Sequence, residues 1–194
     1  MQQLVNFFQS AGKIDAALSL EIANNFKEKV LAKNDLFLRE GQVSNEYLVL
    51  TEGLMRAYAI DTNGDEKTTE FYVAVQPVFE VASFFGRVPS QENFQAITDC
   101  RGWVINFEKL NMLFHALPAF REMGRGILVK GFASLKMRML SQITTTADKR
   151  YEALLQANPV LFQHVPLKYI ASYLGITDTS LSRIRKELLD RERK

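Results

Sequence analysis

The sequence predicts an α+β chain in three parts: an antiparallel β-sandwich or barrel behind a leading helix, one long helix, and a helix-turn-helix. Three observations predict it. Short segments rich in β-branched and aromatic residues alternate with turn residues from Val30 to Phe107. The period then becomes helical from Pro118 onward. Finally, "LKYIASYLGITDTSLSRIRKEL" (Leu167 to Leu188) carries apolar residues at helical spacing on both sides of a glycine.

Residues Leu4 to Lys29 read as helical, with Leu18, Ile22 and Phe26 on one side. The strand region follows in the segments "DLFLREGQ", "EYLVLTEG", "LMRAYAID", "TTEFYVAV", "NFQAIT" and "GWVINF". Turns are marked by Glu40-Gly41, Glu52-Gly53 and Thr62-Asn63-Gly64-Asp65. An Asn-Gly pair between two such segments is a strong hairpin signal. Many short strands at this spacing predict an antiparallel sandwich or barrel.

"PAFREMGRGILVKGFASLKMRMLSQI" predicts one long helix, with Pro118 in its first turn. Leu128, Phe132, Leu135, Met139 and Ile143 form an apolar stripe. Gly124 and Gly131 lie near one side, and an interior glycine costs about 1 kcal/mol against alanine. Close approach of another element is expected to compensate. The stripe exceeds what one sheet needs, so the helix is expected to pair with its copy in a homodimer, the alternative being a helix that lies on its own sheet. "QITTTADKR" then reads as a hinge, and "YEALLQANPVLFQHV" as a short helix, a Pro turn and a connector.

Two closely crossing helices need a small residue at the contact and a residue tolerating positive φ at the turn. Ala171 meets the first need and Gly175, four residues later, the second. Thr177 or Asp178 can cap the next helix. Ile170 and Leu174 on the first helix, and Leu181, Ile184 and Leu188 on the second, form the facing stripes. Burying them leaves Thr177, Asp178, Thr179, Ser182, Arg183 and Lys186 outside. Short polar residues followed by Arg and Lys suit a helix entering a major groove. Arg183 can pair with guanine or grip a phosphate, and Lys168 and Lys186 are placed for phosphate. The same face would also suit an ordinary solvated hairpin.

Charge is divided unevenly. From Lys149 onward nine Lys/Arg stand against five acids, a tail of +4 in a chain of net +2, so the preceding body is −2. A basic module on an acidic body suits a nucleic-acid partner. The single cysteine, Cys100, excludes an internal disulfide and a cysteine-held metal site, and is expected to be a small buried hydrophobe. His115 is expected to pack and His164 to lie at the surface; no histidine occurs from Val30 to Phe107. That leaves a metal-dependent enzyme on the strands without ligands. No Ser/His/Asp or Cys/His set and no Walker-type loop occurs, so a non-enzyme without cofactor is expected. The N-terminus lacks the basic start and apolar core of a signal peptide, and no apolar run approaches a membrane span. A cytoplasmic location is expected.

In the order of its parts the chain resembles the Crp/Fnr family of bacterial transcription regulators. "LFLREGQVSNEYLVLTEGLMRAYAI" resembles the early strands of that family, with Gly41 and Gly53 at the turns. "PLKYIASYLGITDTSLSRIRKEL" resembles its DNA-binding element. The resemblance implies a jelly-roll-type β-roll (a double-stranded β-helix) as sensor over residues 1–117. A dimerisation helix and hinge would follow over 118–146, and a helix-turn-helix domain over 147–194. It implies a homodimer on palindromic double-stranded promoter DNA, with Thr177, Asp178, Thr179, Ser182, Arg183 and Lys186 touching it, and RNA polymerase as a further partner.

The resemblance also implies an effector pocket at "VFEVASFFGRVPSQENFQAI". Cyclic-nucleotide-binding members carry Phe-Gly-Glu there, then an Arg beside Ser or Thr that pairs with the cyclic phosphate. Here Glu80 matches the Glu, Phe79 stands for the glycine, and the Arg position falls at Ser90-Gln91. Arg87 is close but out of register. A regulator with an altered pocket and an unknown small-molecule effector is therefore expected, the alternative being a cyclic-nucleotide switch with a rebuilt pocket. A pure protein-interaction module is a further alternative that the basic helix-turn-helix disfavours. The sequence ends at Lys194, where many members continue into a β-hairpin wing. Two readings are open for Arg191, Arg193 and Lys194: they take over some of that electrostatic work, or they form a solvated tail.

Overall fold

Two four-stranded antiparallel sheets stack face to face in the computed structural model, which describes residues 1–12 and 14–192. Helices α1 (Gln2–Gly12) and α2 (Ala16–Ala23) precede them. The strands are β1 (Lys27–Leu31), β2 (Leu36–Leu38), β3 (Glu46–Glu52), β4 (Leu54–Ile60), β5 (Glu66–Val73), β6 (Gln76–Val78), β7 (Asn93–Ala96) and β8 (Cys100–Asn106). A short helix α3 (Val81–Gly86) lies between β6 and β7. One sheet has the order β1-β8-β3-β6, the other β2-β7-β4-β5.

Strand alternation explains the long buried runs. In β3, Leu48 and Leu50 point into the sandwich with Met55, Ala57, Phe94 and Val104. Tyr47 and Val49, on the other face, meet Phe8, Ile22, Phe84 and Phe120. Both faces are covered, so β3 lacks the apolar/polar alternation of a half-exposed strand. The Asn63-Gly64 hairpin forms as predicted: Asp61 Oδ1 accepts from the Asn63 and Asp65 amides, and Gly64 has φ 85°. Gly53, with φ 92°, could carry no side chain, since a Cβ would stand 2.4 Å from the Asp99 carbonyl.

The leading run corrects one expectation. Leu4 to Lys29 is not one helix. The Asp15 carboxylate caps α2 by accepting from the Leu18 amide at 2.9 Å, and Lys27 to Leu31 pair with β8. The pairing partner lies some seventy residues away, where local periodicity cannot show it. Cys100 is buried, as expected.

After β8 come α4 (Phe107–Ala116) and α5 (Pro118–Thr144). His115 lies exposed in the last turn of α4 rather than packed. The apolar side of that helix is supplied by Leu110, Leu113 and Phe114 instead. The two glycines of α5 differ. A Cβ on Gly124 would meet the Phe114 ring at 2.8 Å, whereas Gly131 faces open space. Helices α6 (Ala147–Ala157), α7 (Leu161–His164), α8 (Leu167–Leu174) and α9 (Asp178–Glu192) complete the chain. Their core includes Tyr151, Leu161, Ile170, Leu174, Leu181 and Ile184. Leu54, Phe71 and Ile97 from the β4–β5 sheet join that core.

Candidate nucleic-acid interface and effector cavity

Helices α8 and α9 cross at Ala171, which is buried, and the chain turns at Gly175 with φ 69°. The Ile176 amide donates to the Ala171 carbonyl at 3.0 Å, closing the end of α8. Thr177 is the cap: its Oγ1 accepts from the Ser180 amide at 3.2 Å and bonds the Ser180 hydroxyl at 3.0 Å. Leu181 and Ile184 are buried against Ile170 and Leu174.

The outward residues fall as that packing dictates. Thr177, Asp178, Thr179, Ser182, Arg183 and Lys186 are all exposed, as is Lys168 at the start of α8. Arg183 is 74% exposed, and among the described residues its ion-pair partner is Glu187 one turn on, at 3.9 Å. Such an exposed pair holds the guanidinium weakly. Arg150, counted in the basic tail, is used structurally. It donates to the Leu174 carbonyl at 3.0 Å and to the Thr145 carbonyl at 2.6 Å, tying the end of α8 to the end of α5. Arg193 and Lys194, and the side chain of Arg191, lie outside the described residues.

A cavity of about 810 Å³ lies between the β-sandwich and α5. Aromatic and aliphatic walls come from Phe7, Phe71, Phe79, Phe94, Ile127 and Phe132. Its polar groups include Glu70, Tyr72, Glu80, Glu92, Lys130 and Arg138. Burial, and then the charges of Glu70, Glu92 and Glu80, push the Tyr72 hydroxyl well above its ordinary range. Burial also raises Glu70, against the opposing pull of Arg138.

Of the pocket residues singled out in the sequence, Phe79 and Glu80 line this cavity; Arg87, Ser90 and Gln91 are not among its walls. Glu80 caps α3, accepting from the Ala82 amide at 3.1 Å and from the Ser83 amide. Arg87 ends that helix in the left-handed conformation and turns elsewhere. It donates to the Ser44 carbonyl at 2.7 Å and to Asn45 Oδ1 at 3.0 Å, and stacks over Phe107. The Ser90 hydroxyl is buried and donates to the Glu92 carbonyl at 2.8 Å. Glu92, two residues beyond Ser90, is the residue that reaches the cavity.

Sequence reasoning missed a second set of functional candidates: Arg56, Arg138, Tyr169, Ser172 and Tyr173. They join β4, β5 and α5 to α8. The fully buried Arg56 guanidinium lies 3.5 Å from the Tyr169 ring and 4.1 Å from that of Tyr58. It donates twice to Gln95 Oε1 and pairs with Glu66. Arg138 stacks over Tyr173 at 4.1 Å and approaches Glu70 at 3.7 Å. Burial, helped by Glu70, pushes the Tyr173 hydroxyl up to about 12. The one available signal was an arginine inside an apolar strand, "LMRAYAI".

Residues 28–116 match the family model of the cyclic nucleotide-binding domain. No curated protein matches the chain by sequence. Among solved structures, FixK2 from Bradyrhizobium japonicum superposes with a TM-score of 0.74 at 17% identity, covering 86% of each chain. The c-di-GMP-responsive global regulator CLP from Xanthomonas campestris gives 0.73 at 16% identity, covering 92% of this chain and 93% of its own. A transcriptional regulator from Eubacterium rectale, assigned to the Crp/Fnr family, gives 0.74 at 15% identity, covering 96% and 88%. At these identities the likeness is one of fold. Among the described residues no helix is long and apolar enough to cross a membrane, and no cluster of His, Cys, Asp and Glu is arranged to hold a metal ion.

Proposed function

We propose, on the premise that this chain carries a cyclic nucleotide-binding domain within the fold of the Crp/Fnr regulators, that it is a sequence-specific DNA-binding transcription regulator. It acts as a homodimer, and its sensor domain carries Ser90-Gln91 where an arginine would pair with a cyclic phosphate. The observation that carries the reading is the division of α9. Leu181 and Ile184 are buried, while the polar and basic residues Thr177, Thr179, Ser182, Arg183 and Lys186 are all exposed. A solvated hairpin would not need its short polar residues gathered at the helix start, with Arg and Lys following.

The dimer reading is supported by α5. Only Phe120 and Met123 are buried in this helix, while Phe132 is 72% exposed and Ile143 74%. An exposed apolar stripe of that length calls for a partner, and a second copy of α5 supplies one of matching shape. A dimer would present two α9 helices to a two-fold duplex with half-sites about one helical turn apart. At a promoter the further partner would be RNA polymerase. Selection from a random duplex pool tests the reading: enrichment of a palindromic site supports it, and no enrichment at any salt concentration refutes it.

A second reading, a cyclic-nucleotide switch, is favoured by the domain match itself. Three points oppose it. Glu80 already occupies the α3 amides, Arg87 is engaged away from the cavity, and of the two cavity cations, Lys130 and Arg138, Arg138 is engaged by the Thr69 carbonyl and Glu70. Burying a phosphate beside carboxylates costs on the order of several kcal/mol, enough to move a micromolar site to millimolar. Calorimetry with cyclic AMP and cyclic GMP is expected to show no micromolar binding. A micromolar constant abolished by Arg87→Ala would establish the switch.

A further inference from the structure

We propose that the cavity between the β-sandwich and α5 takes an organic cation, a protonated amine carried on an apolar body. This names the ligand class of the sensor cavity, and it rests on the reading above that no cyclic nucleotide occupies it. The walls are mostly apolar and aromatic, and the volume of about 810 Å³ is that of an ordinary small-molecule site. The head group of the ligand is therefore chosen by the few polar side chains on those walls.

Three carboxylates and two cations line the cavity, and they are not equally engaged. Glu80 is taken by the Ala82 and Ser83 amides of α3. Arg138 is taken as well: it donates to the Thr69 carbonyl, approaches Glu70 at 3.7 Å and stacks over Tyr173. Lys130 has no partner among the described residues, but it is exposed, and water screens its charge. The Glu92 carboxylate also forms no hydrogen bond or ion pair among the described residues, and it is half-buried.

Strand alternation gathers the remaining groups. Glu70 and Tyr72 share one face of β5, opposite Ala57 and Met55 of β4, which are buried inside the sandwich. Phe94 of β7 stands on the other side of Ala57, and Glu92 lies two residues before it. The Tyr72 and Phe94 rings are 5.8 Å apart. The Tyr72 hydroxyl forms no hydrogen bond among the described residues. Burial first, and then the charges of Glu70, Glu92 and Glu80, keep its proton on. A positive head placed here finds carboxylate acceptors, and the rings of Tyr72, Phe79 and Phe94 attract it further. A negative head meets the same carboxylates as repulsion. A neutral head gains the apolar contact alone.

The test is calorimetry on the full-length protein with three probes that share a phenyl body and differ in head: phenethylamine, phenethyl alcohol and hydrocinnamate, with cyclic AMP alongside. The amine, protonated at neutral pH, is expected to bind about tenfold or more tighter than the alcohol, and the carboxylate more weakly than both. Glu92→Gln is expected to weaken the amine about tenfold and to leave the alcohol unchanged. The ranking is read on the wild type, so it remains a test should the variant fail to fold. An alcohol as tight as the amine would overturn the proposal and leave the altered-pocket reading standing. So would no binding by any probe at millimolar concentration, or an amine preference that survives Glu92→Gln. A carboxylate that binds tightest, and is lost in Lys130→Gln, would overturn it by making the cavity a site for anions. Micromolar binding of cyclic AMP would overturn the altered-pocket reading, and the proposal with it.

Discussion

At the scale of single residues, exposure separates the two kinds of arginine in this chain. Arg183 is held by little, and its fork is free to read a base edge. Arg183→Ala is expected to cost about 1–3 kcal/mol on the selected duplex and to relax preference at one position per half-site. Lys186→Ala should weaken all duplexes alike and lower the salt slope by about one unit. Binding isotherms across salt distinguish the two. Glu70 has the opposite character, because burial raises its carboxyl although Arg138 is near. Its protonated form is the one the fold favours. Its contribution to stability is therefore full below the ordinary value of 4.5 and lost as pH rises through the raised value. Glu70→Gln removes that loss, so the melting temperature of the variant relative to wild type should climb with pH across that window. A difference independent of pH would show that Glu70 is not raised. The exposed residues of α9 were legible because their positions follow from the stripe they oppose. The uses of Arg87 and Arg150 were not, since a side chain's partners depend on which carbonyls the fold brings near.

At the scale of elements, α5 is the part whose sequence and structure agree most closely in kind. The stripe from Leu128 to Ile143 is apolar in sequence and exposed in the structure. Phe132→Glu would place a charge in the middle of the face proposed to pair, and sedimentation at micromolar concentration is expected to show a monomer. A wild-type monomer under the same conditions would remove the pairing altogether. Gly131 faces open space within its own subunit, at the wall of the cavity, so the effect of Gly131→Leu on sedimentation reads the contact with a second copy. A weaker dimer is expected, and an unchanged one would take Gly131 out of that contact. Gly124 has a different reason, the Phe114 ring of its own chain. The spacing of the two glycines was visible in the sequence. Which of them met its own body was not, because that depends on how α4 folds back after β8.

At the scale of the whole molecule, the C-terminal helices and the sandwich share a core. Leu54, Phe71 and Ile97 of the sheet pack with Ile170, Leu174 and Tyr151. A chain ending after the hinge would expose them together with Arg56. It is expected to lose a few kcal/mol of stability, at about 25 cal/mol per Å² of apolar surface uncovered, read as a lower urea midpoint. An unchanged midpoint would mean that the two parts do not stabilise one another. The sequence alone determined the order of the parts, the Asn63-Gly64 hairpin and the turn at Gly175, and with that turn the outward residues of α9. These are local matters, decided by side-chain period and by backbone conformations that only certain residues adopt. Tertiary structure alone decided that β1 begins at Lys27, that Glu80 caps a helix, and that α8 carries a second face laid on Arg56 and Arg138. Those outcomes depend on partners far apart in the chain, and distant backbone and charge leave no periodic mark in the sequence they come to meet.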